Sequence, residues 1–378
     1  MSNSLKTALI LGSGVNVGAG AKIKNRKPPM DHNFFKAQTT QEFFTQEKYP
    51  ALSWYQKEPS LEKTMSTIDL YGKLCLGGVI SEEEAYYQCK KKMEEHAQSD
   101  ISYGTKMIRE TPLWRLPSMA GWELGILITE VFKNIEPPSE DENKLKKLLI
   151  TLKEKNLLHA IITFNYDLFL EKTIQQEDSL KEIFEYAIPS KHEDKSKIQI
   201  YKLHGSLNWE QSQKGVEVEY KDLTNLNIPE RKYYPDGKYT QPTIIGPTLF
   251  KQEIAVDFQK EPVALFFKSL WRMCWEKLKE MDNLIFIGFS FPQTDFHVRA
   301  LFESIYRVRT FKKVVVCTKE ERKEDKEKEK KEDKQSLKGK FEKIFTNVEL
   351  KFYKEGFENL NIQEIIQFLL RDHINIGS

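Results

Sequence analysis

The chain has 378 residues, 39% of them hydrophobic, and its 58 Lys and Arg against 56 Asp and Glu leave a formal net charge of +2. That length buries a sizeable core, as one large domain with insertions or as two, and the near-neutral total neither demands nor excludes nucleic acid. No run approaches the about 20 apolar residues of a membrane span, and four scattered cysteines without a Cys-x-x-Cys pair exclude a disulfide framework or a zinc site built from local cysteine pairs.

The N-terminus, "MSNSLKTALILGSG", lacks the charged, apolar and cleavage regions of a signal peptide, so a soluble, cytoplasmic protein is expected. "TALILG" (7–12) predicts a first strand, followed by the glycine-rich turn "ILGSGVNVGAG" (10–20). Glycines at 12 and 14 let a backbone approach a phosphate closely and expose N–H groups to it. The spacing G-x-G-x-x-x-G is not the dinucleotide fingerprint, and an ordinary glycine turn is the alternative. Residues 35–150 lack strand runs and carry helix-like stretches such as "SEEEAYYQCKKKMEEHAQ" and "GWELGILITEVFKNI", which predicts a mainly helical insertion.

The next strand, "AIITFNY" (160–166), ends on Asn165-Tyr166-Asp167 immediately before the helical "LFLEKTI". One cap explains Asp167 as well as a site does, but one cap does not need Asn165 too. "IQIYKLHG" (198–205) ends on His204-Gly205, where an imidazole is either a satisfied structural group or a general base. Residues 207–242 are polar and turn-rich and predict a small excursion with a β-hairpin. "NLIFIGFS" (283–290) brings Gly288 and Ser290 to a strand end, and Asp295 either caps "FHVRALFESI" or joins them. "KVVVCT" (313–318) and "NVELKFYK" (347–354) complete the strand runs, separated by the charged, low-complexity segment 319–340, read as a solvated loop or exposed helix. Buried apolar strands alternating with amphipathic helices, such as "ALFFKSLWRMCWEKLKEM" (264–281), predict an α/β fold: a Rossmann-like, doubly wound parallel sheet with a mainly helical insertion. Ligands of such sheets bind beyond the carboxyl ends of the strands.

Gly12-Ser13-Gly14-Val15-Asn16, Thr163-Phe164-Asn165-Tyr166-Asp167, Lys202-Leu203-His204-Gly205-Ser206 and Gly288-Phe289-Ser290 occur in that order, and together they resemble the sirtuin superfamily. The likeness is to the bacterial sirtuin-like NAD-hydrolysing proteins of antiphage defence, and its motifs span roughly residues 8 to 318. The resemblance implies a core formed by 1–34 and 151–378, an insertion at 35–150, a charged loop at 319–340 and NAD as substrate. It assigns the pyrophosphate to Gly12, Ser13, Gly14 and Asn16, and the nicotinamide ribose and attacking water to Asn165. Asp167 would take the carboxamide with Tyr166 beside it, and His204 would be the general base. Gly288, Phe289 and Ser290, with Asp295, would serve the adenosine side, and Asp31 the cofactor-binding loop. Residues 207–242 contain no cysteine, so the zinc ribbon of sirtuin deacylases is missing and no metal is expected. The reaction implied is therefore NAD glycohydrolysis to nicotinamide and ADP-ribose, depleting NAD during phage infection. The alternatives are an NAD-dependent protein deacylase, or a non-hydrolysing NAD- or ADP-ribose-binding or nuclease subunit. The layout is also similar to sirtuin-like proteins that assemble with a HerA-type ATPase, which implies that partner and homo-oligomerisation, with direct nucleic-acid binding left open.

Overall fold

Each of the six apolar runs forms a strand in the computed structural model of the chain, which describes residues 5–76, 91, 116–189, 191–211, 218–219, 223–228, 242–245, 262–292, 295–319 and 336–371. In chain order the strands are β1 (Thr7–Leu11), β2 (Lys22–Ile23), β3 (Ile135–Glu136), β4 (Leu158–Thr163), β5 (Phe184–Tyr186), β6 (Ile198–Lys202), β7 (Gly205–Gln211), β8 (Val218–Glu219), β9 (Pro242–Ile244), β10 (Asn283–Ile287), β11 (Lys313–Cys317) and β12 (Glu349–Tyr353). Seven of them make one sheet in the order β12-β11-β10-β1-β4-β6-β5, and every pairing in it is parallel. The chain builds one half from β1 through β4 to β6 and β5, then crosses to β10 on the other side of β1 and continues outward. Strand order therefore reverses between β1 and β10, and ligands of open α/β sheets bind in a crevice beyond the carboxyl ends at such a switch.

Burial explains why these runs read so plainly. Parallel strands joined by helical crossovers are covered on both faces, so both sets of side chains must be apolar. All five residues of β1, of β10 and of β11 are buried. The covering helices show the complementary one-sided pattern: Phe296–Val308 buries Val298, Leu301, Phe302 and Ile305, an i, i+3, i+4, i+7 stripe. The edge strand β5 has no counterpart in the sequence reading. It is three residues long with Glu185 at its centre, and that carboxylate accepts from Gln199 Nε2 at 2.6 Å and Lys191 Nζ at 2.8 Å. A strand that short offers no period to detect.

Between β1 and β4 the chain is mainly helical, with helices at Gln38–Gln41, Pro50–Tyr55, Leu61–Leu76, Leu116–Phe132 and Lys144–Glu154. β2 and β3 pair antiparallel and tie the two ends of this excursion together. Within it Glu123, 1% exposed, accepts the backbone N–H of Leu52 at 2.7 Å, and burial pushes its carboxyl up to about 8. The stretch 81–98 lies outside the described residues apart from Lys91, which is helical. In the 207–242 excursion β7 pairs antiparallel with β8 and β9, as the expected hairpin requires. Of the charged segment, 320–335 lies outside the described residues, and its end is helix rather than loop: Ser336 caps Leu337–Ile344, accepting from Gly339 N–H, because Phe341 and Ile344 are anchored in the core. Cys274 and Cys317 are buried free thiols. Among the described residues, no helix is long and apolar enough to cross a membrane, and no cluster of His, Cys, Asp and Glu could hold a metal ion.

Candidate active site at the carboxyl ends of β1, β4, β6 and β10

The turn after β1 lies directly against the end of β10. Gly12 N–H donates to Ile287 O and Gly14 N–H to Gly288 O, both at 3.0 Å. A Cβ on Gly12 would stand 2.5 Å from Gly288 O, and Gly288, at φ +64°, would place one 2.2 Å from Val15 N. These glycines let two loops touch backbone to backbone. The expectation that the N–H groups of Gly12 and Gly14 face a phosphate is corrected: the neighbouring parallel segment takes both. Ser13 and Ser290 are exposed at the crevice, whereas Phe289 is buried between Phe164, at 4.9 Å, and Phe291, at 5.0 Å.

The turn after β4 is wired to the glycine loop. Asn165 Nδ2 donates to Gly12 O at 3.1 Å, and its backbone N–H to Thr163 Oγ1 at 3.1 Å. Asp167 has two tasks. Oδ1 accepts Phe169 N–H at 2.9 Å at the first residue of the helix Phe169–Gln175, whose N-cap position is Leu168 rather than Asp167, and Oδ2 accepts from Asn16 Nδ2 at 2.7 Å. Burial raises the pKa of Asp167, opposed by the Lys202 charge and by the Phe169 and Asn16 bonds. The Asn16 side-chain oxygen is buried and has no hydrogen-bond partner among the described residues. Tyr166 is half-buried, edge-on to Phe132 at 6.0 Å, and its carbonyl accepts Leu207 N–H at 2.9 Å. Leu11, Val15, Asn16, Thr163, Asn165, Asp167, Phe169, Leu170 and Lys202 line one small cavity.

His204 follows β6 and is 6% exposed, stacked on Trp271 at 6.4 Å and tilted against Phe164 at 5.3 Å. Its Nε2 stands 3.9 Å from Asp295 Oδ1. Asp295 occupies the N-cap position of the helix Phe296–Val308 but makes no side-chain capping bond to it. Asp31 is half-buried on the 3-10 turn Asp31–Lys36 and accepts from Glu62 N–H at 2.8 Å and Ser60 Oγ at 3.1 Å. Burial raises its pKa, and the Asp295 charge adds to the rise, so the two carboxylates are within electrostatic reach.

Two residues that sequence reasoning passed over lie in the same place. Lys202, the last residue of β6, donates from Nζ to Asp167 O and to Glu171 Oε1, each at 2.6 Å. The one available signal was a lysine closing the strand run "IQIYK". Chemically, the site offers amide and carboxylate acceptors beside a cavity, an imidazole in an aromatic setting next to a carboxylate, and a crevice floored by glycine backbone.

No curated protein matches the chain. Among solved structures it is similar to a Sir2 homologue variant in complex with ADP-ribose (12% identity, 83% of this chain and 80% of that one, TM-score 0.35) and to Sir2Tm bound to a propionylated peptide (13%, 98% and 94%, TM-score 0.35). Residues 159–339, the span holding Asn165, Asp167, His204 and Gly288, match the family model of the SIR2-like domain.

Proposed function

We propose that this protein is an NAD glycohydrolase that releases nicotinamide and ADP-ribose. The observation that carries the reading is the buried Asn16–Asp167 pair, with the Asn16 oxygen unpartnered among the described residues, in a cavity beside Asn165 at the carboxyl ends of β1, β4 and β6. A buried acceptor without a donor costs about 1–3 kcal/mol, and the NH2 of a carboxamide is a donor of fitting chemistry. On this reading Asn16 and Asp167 accept from the nicotinamide amide, Asn165 holds the ribose and a water, and Ser13 and Ser290 offer hydroxyls along the crevice. The C1′–N bond breaks with its electron pair leaving on nicotinamide. Water adds to C1′ and gives its proton to His204, whose imidazolium Asp295 stabilises. Fixed dipoles and a placed water supply the rate without a metal.

The match to the SIR2-like domain supports an NAD-dependent reaction, and the cysteine-free segment 207–242 favours water over an acyl-lysine as acceptor. The resemblance extends the proposal to an antiphage effector whose core, 1–34 and 151–378, acts as a homo-oligomer with a HerA-type ATPase. Co-purification with such an ATPase tests that part.

NAD consumption by the parent, Asn165→Ala and His204→Ala, with and without candidate partners, tests the chemistry. The parent should release nicotinamide, and each variant should lose about 10² or more in kcat. NAD binding by all three without turnover under any activating condition would sink the enzyme reading. Turnover that requires an acetylated peptide would replace it with deacylation.

A further inference from the structure

Lys202 and Glu171 form an ion pair with 1% and 0% side-chain exposure. Tyr186, at the end of β5, donates its hydroxyl to the same Glu171 oxygen at 2.8 Å, while the other oxygen is buried without a partner among the described residues. Taking two charges out of water is costly, and well-packed apolar side chains of similar volume are often as stable or more so. A pair that leaves one carboxylate oxygen unsatisfied is a poor device for stability alone. What it does accomplish is a bond from the lysine to the turn: the ammonium holds the Asp167 carbonyl at 2.6 Å.

We propose that Lys202 is a positioning residue, its buried ammonium clamping the Asn165–Asp167 turn from β6 while Glu171 holds the ammonium in place. The proposal deepens the NAD-cleaving reading and rests on it. The turn is then fixed at three points. Asn165 is tied to the β1 loop through Gly12 O, the Asp167 carboxylate to its helix and to Asn16, and the Asp167 carbonyl to Lys202. The same pair acts on charge. Asp167 is faced by Lys202 from β6, by Glu171 one turn along its own helix and by the neighbouring Tyr166; the ammonium favours the carboxylate and Glu171 opposes it. A merely structural pair would not move the ionisation of Asp167 in opposite directions when its two members are removed.

Two variants read this out. Lys202→Met with Glu171→Leu replaces the pair by apolar groups, and Glu171→Gln keeps the shape but removes one charge. The double variant should fold, lose at least tenfold in kcat with KM changed less than threefold, and move the acid arm of the kcat–pH profile upward. E171Q should move that arm downward. A folded double variant with parental kcat and an unmoved arm overturns the proposal. So does E171Q with an unmoved arm, and this variant decides alone if the double does not fold. If the parent releases no nicotinamide, the functional reading fails, and the wiring is judged instead from melting temperature against pH. Because burial raises Asp167, the folded chain keeps its proton to higher pH than the unfolded chain does, and stability relative to Asp167→Asn falls as pH rises through that window. E171Q should narrow the window and do nothing in the D167N background; an identical window in E171Q and parent overturns the clamp.

Discussion

Gly288→Ala tests whether the site depends on the contact between the β1 and β10 loops. Gly288 sits at φ +64°, and an added Cβ would meet Val15 N at 2.2 Å and Gly14 C at 2.4 Å. The left-handed conformation alone costs an alanine about 1–2 kcal/mol. The contact costs more, since both neighbours are backbone and the glycine loop must retreat by about 1 Å to reach van der Waals distance. A misplacement of about 1 Å is worth about 10² in rate at a preorganised site. Gly356→Ala is the comparison for backbone strain without a backbone clash: its φ of +82° and ψ of 169° fall in a region essentially reserved to glycine, while the nearest atoms the added Cβ meets are those of the Glu358 carboxylate, at 2.6 Å, which can swing away. Both variants should therefore lose a few degrees in Tm. Only G288A should lose about 100-fold in kcat/KM for nicotinamide release, with G356A within twofold of the parent. A G288A protein destabilised like G356A yet fully active would show that the loop contact does not set the site.

Glu123→Gln should raise stability at alkaline pH: burial lifts the carboxyl from 4.5 to about 8, so the folded chain holds a proton that the unfolded chain releases, and stability falls as pH climbs through that interval. Urea melts should show the variant level with the parent near pH 4 and ahead by a few kcal/mol near pH 9, and a pH-independent difference would contradict the burial argument. Asp295→Asn removes a charge 3.9 Å from His204 Nε2, worth about 4 kcal/mol to an imidazolium at an effective dielectric near 20. Its kcat should fall by up to about 10³ with KM near parental; unchanged kcat would mean that His204 takes no proton in the slow step.

The centre of the sheet was legible because its strands are buried on both faces, which forces apolar runs such as "KVVVC" and "NLIFI" into the sequence. β5 was not, since three residues around a hydrogen-bonded Glu185 carry no pattern. Candidate positions followed from one rule, that ligands bind beyond carboxyl ends, and Asn165, Asp167 and His204 do follow the ends of β4 and β6. Their pairings could not follow. Asn16 and Asp167 are 151 residues apart, Gly12 and Asn165 153, and sequence carries no register between strands. Charged residues misled for a simpler reason: Lys202 and Glu171 resemble the lysines and glutamates of any solvated face until burial reveals them. The glycines were read as a phosphate cradle because the same freedom serves either a ligand or a second backbone.

Electrostatics ties these pieces to the proposed reaction. Burial raises the pKa of both Asp31 and Asp167, so each resists carrying its charge in the resting protein. A cationic ring bound nearby favours the charged form of each. On the NAD reading the substrate brings such a ring, and cleavage turns it into neutral nicotinamide while positive charge passes to the ribose. The acids then favour the states with a cation in the crevice, substrate and oxocarbenium-like transition state, over the neutral leaving group. Product is thereby held less tightly than substrate. Lys202 sets the limit on this effect, because its ammonium already offsets part of the cost of ionising Asp167 before any ligand arrives.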